Sequence, residues 1–214
     1  MSSHLTVLDV GHGNCSVLFD NGLVAVIDAG KGPYASIYLS SVGITEVDLI
    51  IISHTDDDHL AGVIGLLSSE QVKVKKVILN SDAAKDTKIW RDVRATLASQ
   101  FNAGKIDLQI GVFRGVIRDW VGKDVTLDAL SPNVFNALGG VGARDENGKK
   151  ISANSHSIVV RVSHKSGIKA LLAADMEQKT LDEIVSSGQE LAECTLIFPH
   201  HGGKPGTDFT TDFS

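Results

Sequence analysis

One run restricts this chain more than any other: Leu49-Ile50-Ile51-Ile52 leads directly into Ser53-His54-Thr55-Asp56-Asp57-Asp58-His59. The apolar residues read as a strand buried on both faces. From about Leu60 to Ser69 the pattern is helical, so the histidines and acids fall between a buried strand and a helix. At such an edge a rigid sheet can position a loop of side chains. Imidazole and carboxylate both bind zinc, and carboxylates also suit manganese. Four potential ligands within six residues do not all reach one tetrahedral ion comfortably. Alternation along the run would point His54 and Asp56 one way and Asp58 and His59 toward a neighbouring position, which would serve two ions. The competing reading is a solvated acidic turn with a helix-capping aspartate. Against it, three adjacent acids flanked by histidines repel one another unless a cation holds them.

The rest of the chain alternates β-rich and helical stretches. Strands are expected at Leu5–Val10, Cys15–Phe19 and Leu23–Ile27, with Asn21-Gly22 as a hairpin turn between the last two. A short helix covers residues 34–42 and stops at Gly43. Lys76–Leu79 reads as a strand, and Thr87–Phe101 as a helix carrying Ile89, Trp90, Val93, Leu97 and Phe101 on one side. Weaker strands are expected at Val112-Phe113 and Val125–Leu130, then clearer ones at Ile158–Val162, Ile168–Ala173 and Thr195–Phe198, with a helix over Glu177–Val185. Residues 132–153 show no periodicity and are rich in glycine, asparagine and charge. A loop of that length suggests a lid or a binding loop. No tandem repeat or internal linker is visible. The expectation is one domain over 1–214, which could be the N-terminal module of a longer protein with further domains or a partner protein.

Composition removes several classes. With 43% apolar and 21% charged residues, the chain is neither disordered nor fibrous. No apolar run approaches the roughly 18 residues that span a bilayer, and Met1-Ser2-Ser3-His4, with no basic stretch followed by an apolar one, gives no expectation of a signal peptide. A cytoplasmic location follows by default. A formal charge of −6 argues against affinity from a broad basic surface. It does not exclude a nuclease, since bound metal ions add positive charge where a phosphate sits. Lys73, Lys75 and Lys76 read as a solvated face. Cys15 and Cys194 lack CxxC spacing and read as buried core thiols. His4 and His164 look like strand-end residues, and His12 a surface residue in a glycine-flanked turn. Gly11-His12-Gly13 is no dinucleotide loop, because a strand follows it.

The run His54–His59 resembles the HxHxDH signature of the metallo-β-lactamase superfamily, with Asp56 in place of the middle histidine. Four further motifs, together with that replacement, are similar to the hydrolase domain of the DNA-uptake channel ComEC. Leu8-Asp9-Val10-Gly11-His12-Gly13-Asn14 is similar to its LDVGQGD, and Val26-Ile27-Asp28-Ala29-Gly30 to its second signature. Leu171-Leu172-Ala173-Ala174-Asp175 is similar to its LLTGD, and Phe198-Pro199-His200-His201-Gly202 to its VPHHG. The resemblance runs from about residue 5 to residue 204.

That resemblance implies an α/β (α+β) chain folded as a four-layer αβ/βα sandwich with metals at one edge. It implies two divalent ions, zinc first and manganese as the alternative. His54 and Asp56 would hold the first, and Asp58, His59 and His200 the second. Asp175 would bridge them, and Asp28 would orient a ligand through a hydrogen bond. A metal-bound hydroxide would be the nucleophile. The third histidine usual upstream of the bridging aspartate is missing. Asn154 and Ser157 align with an asparagine–serine pattern of the ComEC-like branch, and His156 between them could be a ligand, a proton donor or a strand-end surface residue. His201 could protonate the leaving group, beside Asp58 in the catalytic set, or cap a local turn. The expected function is metal-dependent phosphodiester hydrolysis, with DNA as the substrate. Hydrolysis of a small ester, lactone or amide is the alternative, and a non-catalytic scaffold for binding or sensing the third reading.

Overall fold

Asn21 and Gly22 adopt φ of 52° and 100°, the left-handed pair that a two-residue hairpin requires. They join β2 to β3 in a computed structural model that describes residues 3–199. The chain divides into two compact units, Met1–Gly111 and Val112–Ser214.

The first unit contains β1 (His4–Val7), β2 (Ser16–Asp20), β3 (Leu23–Ile27), α1 (Tyr34–Ser41), β4 (Glu46–Val47) and β5 (Leu49–Ile52). After these come α2 (Asp57–Leu67), β6 (Lys73–Val74), β7 (Lys76–Leu79), α3 (Lys88–Asn102) and β8 (Asp107–Ile110). Its main sheet has the order β1-β2-β3-β5-β7-β8, antiparallel through β3 and parallel from there on. β4 and β6 form a small parallel pair of their own. Every residue of β5 is buried, as its unbroken apolar run demands. Leu60, Val63 and Leu66 of α2 and Trp90, Val93 and Leu97 of α3 share one core with Ile50 and Ile52. Because β3, β5 and β7 are parallel neighbours, the loops that follow them emerge side by side. This is the edge where open α/β sheets bind ligands.

The second unit contains β9 (Gly115–Val116), β10 (Val125–Ser131), α4 (Val134–Gly139), β11 (Val159–His164), β12 (Lys169–Leu172), α5 (Gln178–Ser186) and β13 (Cys194–Ile197). Its sheet has the order β13-β12-β11-β10-β9. It is antiparallel except for the parallel β12–β13 pair. Leu181 and Ile184 of α5 pack with Leu130, Val159 and Leu171. Among the described residues of the chain, no helix is long and apolar enough to cross a membrane.

Several expectations need correction. No strand forms at Val112-Phe113; strands flank that point as β8 and β9. Among the described residues, Asp107-Leu108-Gln109-Ile110 pairs with β7 alone, and its alternating polar residues suit an edge strand that a search for apolar runs passes over. Residues 132–153 are not structureless. Asn133 accepts the Asn136 N–H at 2.8 Å and so caps α4, and Arg144 pairs with Lys150 as an isolated antiparallel bridge. Helix α2 starts at Asp57, not near Leu60, since Asp57 and Asp58 favour the positive end of a helix dipole. Cys15 is buried, but Cys194 is only half-buried, at the outer strand of its sheet.

Candidate metal centre

Three loops of the first unit build the site. β3 ends at Ile27, and Asp28 turns out of it with φ of 58°. Its N–H donates to Ile51 O at 2.9 Å, and the N–H of Ala29 to His59 O at 2.8 Å. These bonds tie the β3 loop to both β5 and the start of α2. The Asp28 carboxylate, 1% exposed, then accepts from three donors. Ser53 gives its N–H to Oδ1 at 2.7 Å and its hydroxyl to Oδ2 at 2.7 Å. His59 Nδ1 lies 2.8 Å from Oδ2.

Those contacts assign the histidine tautomers. A carboxylate at Nδ1 keeps the neutral His59 ring's proton there, so Nε2 carries the lone pair. Ser53 Oγ, having given its proton to Asp28, accepts from His54 Nδ1 at 3.0 Å. Nε2 of His54 thereby becomes the basic nitrogen too. Both Nε2 atoms are out of solvent, the rings lie 4.1 Å apart between centroids, and a nitrogen of each lies within 4.8 Å of the other. Holding Nδ1 from behind while leaving Nε2 as the basic nitrogen is the arrangement that metal-ligating histidines need.

Asp56 sits at the N-cap position of α2 yet makes no side-chain capping bond, so its carboxylate is not the simple helix cap of the competing reading. Oδ2 lies 3.5 Å from His54 Nε2, and Oδ1 is bonded to Lys85 Nζ. Bonds of about 2.0–2.2 Å to a tetrahedral zinc put two ligand atoms about 3.3–3.6 Å apart, so the pair fits a shared ion. The hydrogen-bonding contact with the His54 ring first, and then the Lys85 ammonium, hold the Asp56 carboxyl well below the usual carboxylate range against the opposing effect of burial.

The expected alternation along the run is replaced by helical spacing. His59 lies against His54, and Asp58 turns instead toward His12, whose Nε2 is 3.2 Å from Oδ2. His12 is 75% exposed, a turn residue that nonetheless meets an expected ligand. Its turn closes tightly on α2: Asn14 N–H donates to Asp58 O at 3.3 Å, and a Cβ on Gly13 would fall 2.4 Å from that same oxygen.

In the second unit, Asp175 is buried in the turn between β12 and α5, after Ala174 at φ of 49°. Asn154 and His156 lie on a 3₁₀ turn, with His156 only 4% exposed, so it is not a surface histidine. Ser152 Oγ donates to Glu177 Oε2 at 2.9 Å, and Thr180 Oγ1 to Ser155 O at 3.5 Å. That turn is thus fastened to the start of the helix after Asp175. His200 and His201 lie outside the described residues.

The sequence reading did not single out Ser53, Asp82, Lys85 or Thr87. Ser53 alone carried a signal, as a hydroxyl at the exit of the buried strand.

A mixed sheet with helices in each unit, and a histidine–aspartate loop at the strand ends of the first, define the metallo-β-lactamase class of α/β fold. The chain belongs to the metallo-β-lactamase superfamily, whose family model matches residues 8–185. Ribonuclease Z of Clostridioides difficile is 42% identical over 48 residues, covering 22% of this chain and 16% of that enzyme. Ribonuclease Z of Clostridium tetani is 32% identical over 73 residues, covering 30% and 23%. The matched stretch is thus less than a quarter of either relative. Among solved structures, a metal-dependent hydrolase of the β-lactamase superfamily aligns with a TM-score of 0.53 at 15% identity, over 88% of this chain and 73% of that one. The Rm3 metallo-β-lactamase aligns with 0.52 at 13%, over 92% and 75%. These two share the fold.

Proposed function

We propose that the protein is a metal-dependent hydrolase that cleaves phosphodiester bonds in nucleic acid, DNA first, using two divalent ions, zinc by preference or manganese. One observation carries the metal part: the Nδ1 atoms of His54 and His59 are engaged from behind, and Asp56 Oδ2 stands 3.5 Å from His54 Nε2. His54 and His59, both buried, are the ligand core of this reading. Asp56 would join them at the first ion, Asp58 and His200 would hold the second, Asp175 would serve both, and Asn154 or His156 would stand beside the first. The ions supply Lewis-acid activation of water and neutralise charge on the phosphate. Asp28 and Ser53 keep both imidazoles in the ligating tautomer. His201 is assigned to deliver a proton to the leaving oxygen, with Asp58 in the same catalytic set. One family model spanning residues 8–185 supports reading 1–214 as a single domain.

The nucleic-acid part rests on the five-motif resemblance to ComEC-type hydrolase domains and on the partial likeness to two enzymes named ribonuclease Z. Their name brings RNA into the test. Metal content by mass spectrometry is paired with cleavage of labelled DNA, single- and double-stranded, and of RNA. An Asp58→Ala, His59→Ala double variant serves as the control. Cleavage by the wild type alone supports the reading, and the substrate cut faster decides between DNA and RNA. Bound metal without cleavage shifts the assignment to a small ester, lactone or amide. A protein that takes up no metal is a non-catalytic scaffold.

A further inference from the structure

The superfamily motif has a histidine where this chain has Asp56. A carboxylate there brings a negative charge that imidazole lacks, and a second oxygen free to turn the wrong way. The loop after β7 answers both differences. Lys85 Nζ bonds Oδ1 of Asp56 and leaves Oδ2 on the side of His54 Nε2.

Lys85 is not an isolated surface lysine; its side chain is 16% exposed. It is the middle rung of three that join consecutive residues of the ligand loop to the β7 loop. Thr55 Oγ1 donates to Asp82 Oδ2 at 3.1 Å, Lys85 holds Asp56, and Thr87 Oγ1 donates to Asp57 Oδ1 at 3.3 Å. The β7 loop is itself braced. Asp82 Oδ1 accepts the N–H groups of Ala84 at 2.8 Å and Lys85 at 3.0 Å. Trp90 Nε1 donates to Asp82 O at 3.0 Å, and Thr87 caps α3 by accepting the Trp90 N–H at 3.2 Å. An exposed ion pair contributes little, but this lysine is delivered by a fixed backbone.

We propose that Lys85 is a positioning residue: it holds one oxygen of Asp56 and offsets its charge, so that the Asp56–Lys85 pair stands in for a neutral imidazole ligand. The inference rests on the metal reading above. A lysine that merely competed with the ion for the carboxylate would act in the opposite direction, because its removal would tighten binding.

The test is metal affinity, measured on the full-length metal-free protein by titrating zinc and manganese against a fluorescent chelator. Lys85→Met keeps the apolar stem and removes the ammonium. The expected result is affinity weakened about tenfold or more, the usual cost of losing a partner that orients a ligand, with most of it recovered in Lys85→Arg. In an Asp56→His background, Lys85→Met leaves affinity unweakened. Unchanged or tighter binding in the wild-type background overturns the inference, as does equal weakening in both backgrounds, which a misfolded loop would produce. A wild-type protein that binds neither metal overturns the metal reading and this inference with it.

Discussion

Replacing Asp28 with asparagine changes the charge and one atom type of the central network while keeping its shape. Asparagine tolerates φ near 58° as aspartate does, so the backbone has no reason to move. One amide oxygen still accepts the Ser53 N–H that Asp28 Oδ1 now takes at 2.7 Å. The amide nitrogen replaces Oδ2, which Ser53 Oγ and His59 Nδ1 approach at 2.7 and 2.8 Å. The serine hydroxyl can rotate and accept. His59 can accept only by moving its proton to Nε2, which turns that nitrogen from an acceptor into a donor. A bond to a charged acceptor contributes about 1.5–3 kcal/mol, and two such bonds are exchanged for weaker neutral ones, so the expected loss is about 3 kcal/mol. For a chain of this size that lowers Tm by about 6–12 °C. Divalent-metal affinity should fall about 10- to 100-fold. Circular dichroism of the metal-free protein measures the first effect and chelator competition the second. A long-range ¹H–¹⁵N spectrum of the His59 ring locates its proton directly. A variant that keeps wild-type metal affinity, or keeps its His59 proton on Nδ1, would refute the tautomer argument.

Gly62→Ala reverses what helix propensity alone dictates. Alanine in an exposed helix interior is favoured by about 1 kcal/mol, but a Cβ here would sit 2.3 Å from Ala29 O and 3.0 Å from Gly32 O, both backbone atoms. Overpacking should cost about 3 kcal/mol in urea unfolding, and a stabilised variant would show that α2 does not approach the β3 loop this closely. For Cys15, burial first and the Asp28 charge second push the thiol from 9.0 up to about 12. The folded value is the raised one, so this contribution to stability is complete below about pH 9. It is lost as pH rises toward about 12, because the unfolded chain ionises first. Cys15→Ala should therefore lose less stability than wild type between about pH 8 and pH 10. Native Cys15 should be alkylated at about pH 8 only as fast as its unit opens; rapid labelling would place the thiol near the surface.

What could be read along the chain is what local chemistry decides. Leu49–Ile52 is apolar at every position, so it had to be a buried strand whatever its neighbours. Asn21-Gly22 announced its hairpin because few other pairs tolerate positive φ at both positions. The histidines and acids from His54 to His59 marked a candidate metal site by crowding charges that a cation would relieve. The contacts that make those residues a site connect positions far apart in sequence, and no periodicity records them. Asp28 meets His59 because β3 and β5 are parallel neighbours in one register. Lys85 meets Asp56 because β7 lies on the other side of β5. Asp107–Ile110 is a strand only because β7 offers it an edge. Residue types and their spacing set which chemistry is available. Parallel strand order decides which loops emerge side by side, and hence which oxygen of Asp56 faces His54 and which nitrogen of His59 is left basic.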